Sequence, residues 1–415
     1  MAELQPLYAL RYDLEQTGGL QPVVAPPYDV IDAEQRAELE ARSPYNIVRV
    51  DLPQGGEDRY DRAAAELEAW RRQGVLVTDE HPTLWTLAQD YIGPDGRARS
   101  RQGFFARVRV EEYGPGRIRP HERTHPGPKE DRLRLTRATH TNLSPIFALY
   151  SDPAGAAATA LAGAEPWAQT TDDDGTANRL GRVSDPAAIE AAIRALAGTE
   201  LLIADGHHRY ETARVYADEV GGEGPHRYVL MCLVALQDPG LTVFPTHRLV
   251  RGLRPEQHEV LATALRRDFD IQPLDDRNAL APDTGDTVRI GYMDAHFRRP
   301  YMLTLKDPAI AAAALPDRAE PYRRLDTAVL EALILKSALG LTDHDIDDLN
   351  GLGYARDFAQ ALELIDTSAY DAAFFMAPTP VERVQEVAAA GESMPPKSTY
   401  FVPKVGTGLV LNPLR

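Results

Sequence analysis

Apolar residues follow two patterns along the chain, one typical of helices and one typical of buried strands. Ala63, Leu67 and Trp70 follow helical spacing within residues 59–73. The uninterrupted apolar run at residues 228–236 is instead typical of a buried strand. Because both patterns are interspersed throughout, we predict a mixed α/β (α+β) fold.

Local signals sharpen several of these boundaries. Asp32 and Asp357 each precede a helical pattern and are predicted N-caps for the helices at residues 33–42 and 358–365. Residues 46–52 alternate and are rich in β-branched side chains, so a strand is predicted there. An apolar strand at residues 201–204 is predicted to lead into a helix from about His207 to Val220.

The chain has 415 residues, which is more than one hydrophobic core usually serves. We predict an N-terminal α/β region at residues 1–110, a central region at residues 111–240 and a C-terminal α/β region at residues 241–415. The boundaries near residues 110 and 240 are approximate, since the chain contains no low-complexity linker that would mark them.

Charge and composition narrow the possible partners. The formal net charge of -17 disfavours nucleic acid and anionic membranes, so a small-molecule partner is expected. The N-terminus lacks the pattern of a signal peptide, and no apolar run reaches the ~18 residues of a membrane helix. A cytoplasmic protein is therefore expected. The single cysteine, Cys232, is predicted to be a buried strand residue and not a catalytic thiol.

The densest group of reactive side chains follows a predicted apolar strand. Asp205 ends that strand, Gly206 permits a tight turn, and the next helix begins at about His207. Helix N-termini offer free N–H groups and a positive partial charge, which suit a phosphate. His207, His208 and Arg209 add cations where acidic residues would normally be favourable, which indicates an anion from outside the chain. The alternative is that Asp205 simply caps the helix.

Glu122 lies in a loop of alternating acidic and basic residues framed by proline and glycine. A carboxylate held on such a loop could accept the proton of a hydroxyl group. The alternative is a solvated charged loop without a catalytic role, which is the commoner case for such sequences.

Two further segments carry candidate binding residues. Near the C-terminus, Lys397, Ser398 and Thr399 stand in a proline-braced loop that could bind phosphate or carboxylate, or could only pack along the domain edge. His247 and Arg248 follow a strand-like segment and add a pair of basic residues, which alone say little about function.

Taken together, these motifs resemble two families. Four segments resemble a widespread bacterial and archaeal family labelled only as a domain of unknown function: Ala25-Pro-Pro-Tyr-Asp-Val-Ile31, Asp205-Gly-His-His-Arg-Tyr210, Pro245-Thr-His-Arg248 and Pro396-Lys-Ser-Thr-Tyr400. Three segments also resemble the archaeal free-serine kinases in sequence and order: Pro120-His-Glu122, Asp205-Gly-His-His-Arg209 and Pro396-Lys-Ser-Thr399. The second resemblance implies that residues 111–240 form a ParB/sulfiredoxin-like catalytic core and that the C-terminal region, residues 241–415, carries the substrate loop.

The kinase resemblance also implies roles. Those kinases phosphorylate free L-serine with ADP, and relatives use ATP or pyrophosphate. Glu122 is then the candidate base, and Asp205 the second catalytic carboxylate. Phosphate or nucleotide is implied to bind at the turn residues Gly206, His207, His208 and Arg209. Substrate is implied to bind at the C-terminal loop residues Lys397, Ser398 and Thr399 and at the basic pair His247 and Arg248. Magnesium is expected as a cofactor, since phosphoryl transfer needs positioning and charge stabilisation.

The sequence departs from the kinases in ways that leave the function open. Residues 1–110 have no counterpart in them, and Tyr400 stands where they carry an arginine, which puts the acceptor in doubt. The alternative is a ParB-like nucleotide-binding regulatory protein without kinase activity. DNA binding is disfavoured by the charge and by the lack of a basic helix-turn-helix pattern. A sulfiredoxin-like reaction is improbable because His207 replaces the required cysteine.

Overall fold

The computed structural model describes residues 2–93, 95–115, 117–121 and 127–415. The chain divides into two compact units. The N-terminal unit comprises Met1–Pro120, Thr124–Leu241 and Pro403–Arg415, and the C-terminal unit comprises His121–Arg123 and Thr242–Val402. Each unit contains both strands and helices, so the predicted mixed α/β class is confirmed.

The N-terminal unit is built around a large mixed sheet. Its strands are β1 Leu4–Gln5, β2 Leu10–Tyr12, β3 Leu76–Thr78, β4 Leu84–Ile92, β5 Ala98–Arg109, β6 Ile118–Pro120, β7 Thr141–Asn142, β8 Ile146–Tyr150, β9 Glu165–Thr171, β10 Ala177–Val183, β11 Leu201–Asp205, β12 Tyr228–Ala235 and β21 Asn412–Pro413. Its α-helices are α1 Leu14–Thr17, α2 Ala33–Arg42, α3 Val48–Asp51, α4 Arg59–Arg72, α5 Gly127–Thr139, α6 Ala156–Leu161, α7 Pro186–Ala195 and α8 His207–Val220.

The main sheet has the strand order β6-β11-β8-β12-β5-β4-β10-β9, and β1 also pairs with β5. β11 runs parallel to β6 and antiparallel to β8, while β12 runs parallel to β8 and antiparallel to β5. Strands from both sides of residue 110 thus share one sheet. The division into domains at residues 110 and 240 stays a prediction.

The core of this unit explains why the sequences of its strands are continuous apolar runs. Side chains of β12 such as Met231 and Leu233 pack with Phe104, Ile146 and Ile203 in one buried cluster. Cys232 is fully buried in the same strand, as predicted. Burial on both faces of β12 removes the need for alternating polar residues.

The C-terminal unit contains the strands β13 Thr242–Phe244, β14 His247–Val250, β15 Phe269–Pro273, β16 Arg289–Asp294, β17 Tyr301–Leu305, β18 Leu352–Ala355, β19 Ala372–Phe375 and β20 Tyr400–Val402. Six of them form a smaller sheet with the order β15-β17-β16-β19-β14-β18, and β13 pairs with β20. Its helices are α9 Pro255–Asp268, α10 Pro308–Ala314, α11 Glu320–Arg323, α12 Asp326–Val329, the π-helix Leu330–Ala338, α13 Asp343–Asp347, α14 Phe358–Asp366 and α15 Val381–Ala389.

The cap predictions are confirmed: the Asp32 side chain accepts the Gln35 N–H, and Asp357 accepts the Gln360 N–H. The strand predicted at residues 46–52 is wrong, because Val48–Asp51 is helical. Asn46 explains the difference, since its side chain accepts the Val48 N–H and donates to the backbone carbonyls of Pro22 and Val24, which lie 24 and 22 positions earlier in the chain. These contacts outweigh β-propensity, which depends strongly on context.

Among the described residues, no helix combines the length and the apolar character needed to cross a membrane.

Candidate functional site

The turn between β11 and α8 holds the predicted phosphate-binding residues. Gly206 is the N-cap of α8 and has a left-handed backbone with φ of +93°. A Cβ atom at Gly206 would lie 2.9 Å from Nε of Arg209, so both the conformation and the space favour glycine. The N-cap residue Gly206 has no side chain that could cap the first turn of α8. Helix N-termini carry backbone N–H groups without a partner inside the helix, and these can bind an anion.

Asp205 is held between two cations and does not cap the helix. Nη2 of Arg209 donates to Oδ2 of Asp205 at 2.6 Å, and the Lys404 ammonium contacts Oδ1. Nη1 of Arg209 also donates to the carbonyl of Pro145. The alternative interpretation of Asp205 as an ordinary N-cap is thus wrong, because both carboxylate oxygens point to side-chain cations.

This arrangement controls the charge of Asp205. Burial alone would raise the pKa of the Asp205 carboxyl, but Lys404 and Arg209, with a smaller effect from His207, hold that pKa well below its usual value. The side chain is 17% exposed, so solvent screens these charges only in part. Asp205 is therefore ionised at neutral pH and is a weak proton acceptor there.

The segment that carries Lys404 is fixed by two polar residues of the main sheet. Arg101, which is 1% exposed, donates from Nη2 to the Pro403 carbonyl at 2.6 Å. Nε2 of Gln89 donates to the Lys404 carbonyl at 3.1 Å. Burial lowers the pKa of Arg101 to about 10, which leaves it charged at neutral pH. These bonds hold the backbone of the C-terminal segment so that the Lys404 ammonium reaches Asp205.

His207 and His208 occupy the first two positions of α8 and are half-buried. Together with Arg209 and Lys404 they surround the turn with basic side chains. Such a set, next to a helix N-terminus, has the chemistry of an anion-binding site. A phosphate role for Gly206, His207, His208 and Arg209 stays a prediction.

The loop predicted to bind substrate lies in the C-terminal unit. Lys397 is exposed and has a left-handed φ of +58°. Ser398 is buried, with Oγ 2.7 Å from the Pro395 carbonyl and 3.1 Å from Oγ1 of Thr327. Oγ1 of Thr399 lies 2.6 Å from Nε2 of His121. The Ser398 and Thr399 hydroxyl groups thus already have contacts within the unit, and their substrate role stays a prediction.

His247 and Arg248 lie in the same unit, and Arg248 contacts the same loop. Nδ1 of His247 accepts the Met376 N–H at 3.1 Å, and burial, helped by Arg248, lowers the pKa of His247 to about 4. Nη2 of Arg248 donates to the Pro396 carbonyl at 3.1 Å. The structure gives both side chains buried structural partners. It places Arg248 next to the predicted loop, and a substrate role for either residue stays a prediction.

Glu122, the predicted base, lies outside the described residues. Its neighbour His121 is buried, and its carbonyl accepts the Met394 N–H at 2.7 Å.

Sequence reasoning did not assign Lys404 to the site. It lies 199 positions from Asp205, and its only local signal is that it is a basic residue in a proline-rich segment. Asp51 and Arg132, which form a buried ion pair in the same unit, were also missed, since nothing in their local sequence indicates burial.

The site is thus an α/β strand–helix turn with a carboxylate held between cations. The chain belongs to the family described as "Protein of unknown function (DUF1015)", whose sequence model matches residues 4–328. The predicted resemblance to a family of unknown function is confirmed at this level. A comparison with curated proteins gave no match.

Solved structures give weak similarities. A conserved hypothetical protein from Pyrococcus furiosus is 14% identical, with 69% of this chain and 88% of that chain covered and a TM-score of 0.36. A free serine kinase in complex with AMP is 14% identical, with the same coverage and a TM-score of 0.35. SbnI with a C-terminal truncation, from Staphylococcus aureus, is 12% identical, covers 72% and 82%, and has a TM-score of 0.36. At such low identities and TM-scores these similarities support no argument about function.

Proposed function

We propose that this protein is a small-molecule kinase that transfers a phosphoryl group to a hydroxyl, with free L-serine as the first acceptor to test. The observation that carries the proposal is the Asp205 carboxylate, which is held ionised between Lys404 and Arg209 at the start of α8. The sequence resemblance to the free-serine kinases, on the same Asp205–Arg209 turn, supports it. With this function we also propose the ParB/sulfiredoxin-like core that the resemblance implies.

Phosphoryl transfer requires little covalent chemistry from the protein and depends on positioning and charge stabilisation. Lys404 and Arg209 supply positive charge beside the helix N-terminus, where a phosphate is stabilised by backbone N–H groups and the helix dipole. Asp205 is ionised and paired, so its role in this proposal is to orient the two cations. Proton acceptance from the acceptor hydroxyl is assigned to Glu122.

The proposed donor is ADP, ATP or pyrophosphate, with its phosphates at the turn. Among the described residues, no three His, Cys, Asp or Glu side chains cluster as a metal site, and both Asp205 oxygens already contact cations. These residues alone therefore do not fit a preassembled magnesium site. Magnesium stays a prediction, and the charge stabilisation proposed here comes from Lys404, Arg209 and the start of α8.

The experiment is phosphorus NMR of the full chain with L-serine, magnesium and, in turn, ADP, ATP and pyrophosphate. An O-phosphoserine signal is expected with one donor, and it should vanish in Glu122→Gln and Asp205→Asn. Asp218→Asn on the exposed face of α8 and Glu38→Gln on the surface are matched controls that should keep the signal. Retained activity in both site variants would overturn the roles. Nucleotide binding without turnover of serine or other hydroxy compounds would favour the regulatory alternative.

A further inference from the structure

A cavity of mixed polarity lies in the N-terminal unit, beside the guanidinium of Arg209. Its volume is about 50 Å³, several times what one water needs. Tyr28, one of its lining residues, belongs to the Ala25–Ile31 motif, for which the proposed kinase reaction has no use. Four apolar side chains also line the cavity: Leu135, Leu143, Ala213 and Val229. A ligand of a few heavy atoms, partly apolar, fits such a space.

The charged side chains that line the cavity leave a surplus of positive charge. They are the guanidinium groups of Arg132 and Arg209 and the carboxylate of Asp51. Their ion-pair partners among the described residues extend the set to four cations and three carboxylates: Arg59, Arg132, Arg209 and Lys404 against Asp51, Asp131 and Asp205. An unbalanced charge in a partly desolvated site is costly. The surplus therefore favours a ligand with a single negative charge.

The Tyr28 hydroxyl group makes no hydrogen bond with the described residues. Its ring is held against the guanidinium of Arg132, with Cζ of Arg132 at 4.3 Å from the ring centroid. Burial raises the pKa of Tyr28, whereas the positive charges of Arg209 and Arg132 oppose this effect. The two cations thus make this hydroxyl a better donor to an anion.

Two further lining side chains have donors that are not in use. Oδ1 of Asn142 accepts the Leu230 N–H at 3.1 Å and Nδ2 of Asn412 at 3.0 Å, and these bonds fix the orientation of the amide. Nδ2 of Asn142 itself makes no hydrogen bond with the described part of the chain. Arg209 makes two hydrogen bonds, which leaves three of its five guanidinium N–H groups without a described partner. Hydroxyl, amide and guanidinium donors together suit a carboxylate.

We propose that this cavity binds a short monocarboxylate of the size of acetate, glycolate or propionate. The carboxylate group is directed to the Tyr28 hydroxyl, the Asn142 amide and the Arg209 guanidinium. The short carbon chain is directed to Leu143 and Val229. One negative charge matches the surplus, whereas a phosphate dianion would exceed it. The proposal goes beyond the kinase reaction and does not rest on it, because the ligand binds without a phosphoryl donor.

Ligand-observed NMR titrations of the full chain with acetate, glycolate and propionate test this proposal. Saturable binding of at least one of them is expected. Its neutral amide, of the same shape and size, should bind at least about tenfold more weakly, because the hydrogen bonds to a charged acceptor are lost. Inorganic phosphate should also bind more weakly than the carboxylate.

Tyr28→Phe removes one donor and keeps the ring beside Arg132, so the carboxylate affinity should fall at least about tenfold. Tyr8→Phe makes the same chemical change at a tyrosine that is 46% exposed in the same unit, and it should leave the affinity unchanged. Thr136→Val is a control inside the cavity. Its hydroxyl group already donates to the Arg132 carbonyl at 2.9 Å, so this variant should also bind like the wild type.

Three outcomes would overturn the proposal. The first is an absence of saturable binding for all three carboxylates at millimolar concentration. The second is an equal or higher affinity for the neutral amide or for phosphate. The third is wild-type affinity in Tyr28→Phe, and a loss of affinity in Lys404→Met would then place the carboxylate at the turn instead. Because no phosphoryl donor is present, a failure of the kinase proposal leaves this result interpretable, and the reverse also holds.

Discussion

The Lys404 ammonium contacts the Asp205 carboxylate although the two residues lie 199 positions apart. The contact brings the C-terminal segment back onto the strand–helix turn of the N-terminal unit. Because of this contact the Asp205 carboxyl stays ionised, and two cationic side chains lie at the start of α8. Each of these features can be tested separately.

Lys404→Met should lower the affinity for ADP by about 10- to 100-fold, because one of two charge-assisted contacts at the turn is lost. The free energy of unfolding should fall by about 1–3 kcal/mol, since Asp205 keeps only Arg209 as a partner. Titration calorimetry and urea unfolding measure the two effects. Lys306→Met, at an exposed lysine of the C-terminal unit, is the matched control for the ADP affinity. Wild-type affinity in Lys404→Met would remove this lysine from the site.

The depressed pKa of Asp205 predicts a loss of stability in acid. The folded state binds this proton less tightly than the unfolded state, so the contribution is complete above the usual aspartate pKa near 3.9 and is lost as the pH falls below it. Urea unfolding from about pH 2.5 to about pH 7 spans this pKa. The free energy of unfolding should fall less steeply with decreasing pH in Asp205→Asn than in the wild type. Parallel limbs would show that other carboxylates dominate.

Gly206→Ala should damage the turn for two reasons. Alanine is strained at φ of +93°, and its Cβ would crowd the Arg209 guanidinium. We expect a loss of about 1–2 kcal/mol in urea unfolding and weaker ADP binding. Gly163→Ala is the control, because no atom lies within 4 Å of a Cβ there. An unchanged affinity in Gly206→Ala would mean that the Arg209 position is not critical.

Much of this fold follows from local patterns. The helix Arg59–Arg72, the strand Tyr228–Ala235 and the turn into His207–Val220 were all predicted, because burial of one face or of a whole strand leaves a clear periodicity. The strand predicted at residues 46–52 failed, because Asn46 makes side-chain contacts with a distant segment that the local pattern does not contain.

The candidate site could be predicted only in part, for the same reason. Asp205 and Arg209 are four residues apart on one turn, so their pairing follows from local geometry. The approach of Lys404 depends on Arg101 and Gln89, which hold its backbone from two strands of the main sheet.

Cys232 should be inert to thiol reagents in the folded protein. It is completely buried in β12, and burial raises the pKa of its thiol to about 12, so almost no thiolate is present at neutral pH. Labelling with a chromogenic disulfide reagent should be slow in buffer and rapid in denaturing urea, with one thiol per chain. Fast labelling without denaturant would show that this strand opens locally.

Asp172 predicts the opposite pH dependence from Asp205. It follows β9 in a hairpin turn, and burial raises its pKa to about 6, although a hydrogen bond with Asn178 opposes this effect. The folded state therefore binds this proton more tightly, and the stability from that protonation is present at low pH and is lost as the pH rises from about 4 to 6.

Asp172→Asn removes the cost of the buried charge, so the variant should be more stable than the wild type at pH 7, by at most about 3 kcal/mol. Near pH 4, where the wild-type carboxyl is already largely neutral, the difference should nearly disappear. Differential scanning calorimetry at both pH values, with the exposed Asp270→Asn as control, measures this. A variant that is less stable than the wild type at pH 7 would show that the Asp172 carboxylate is stabilised by its turn more than burial penalises it.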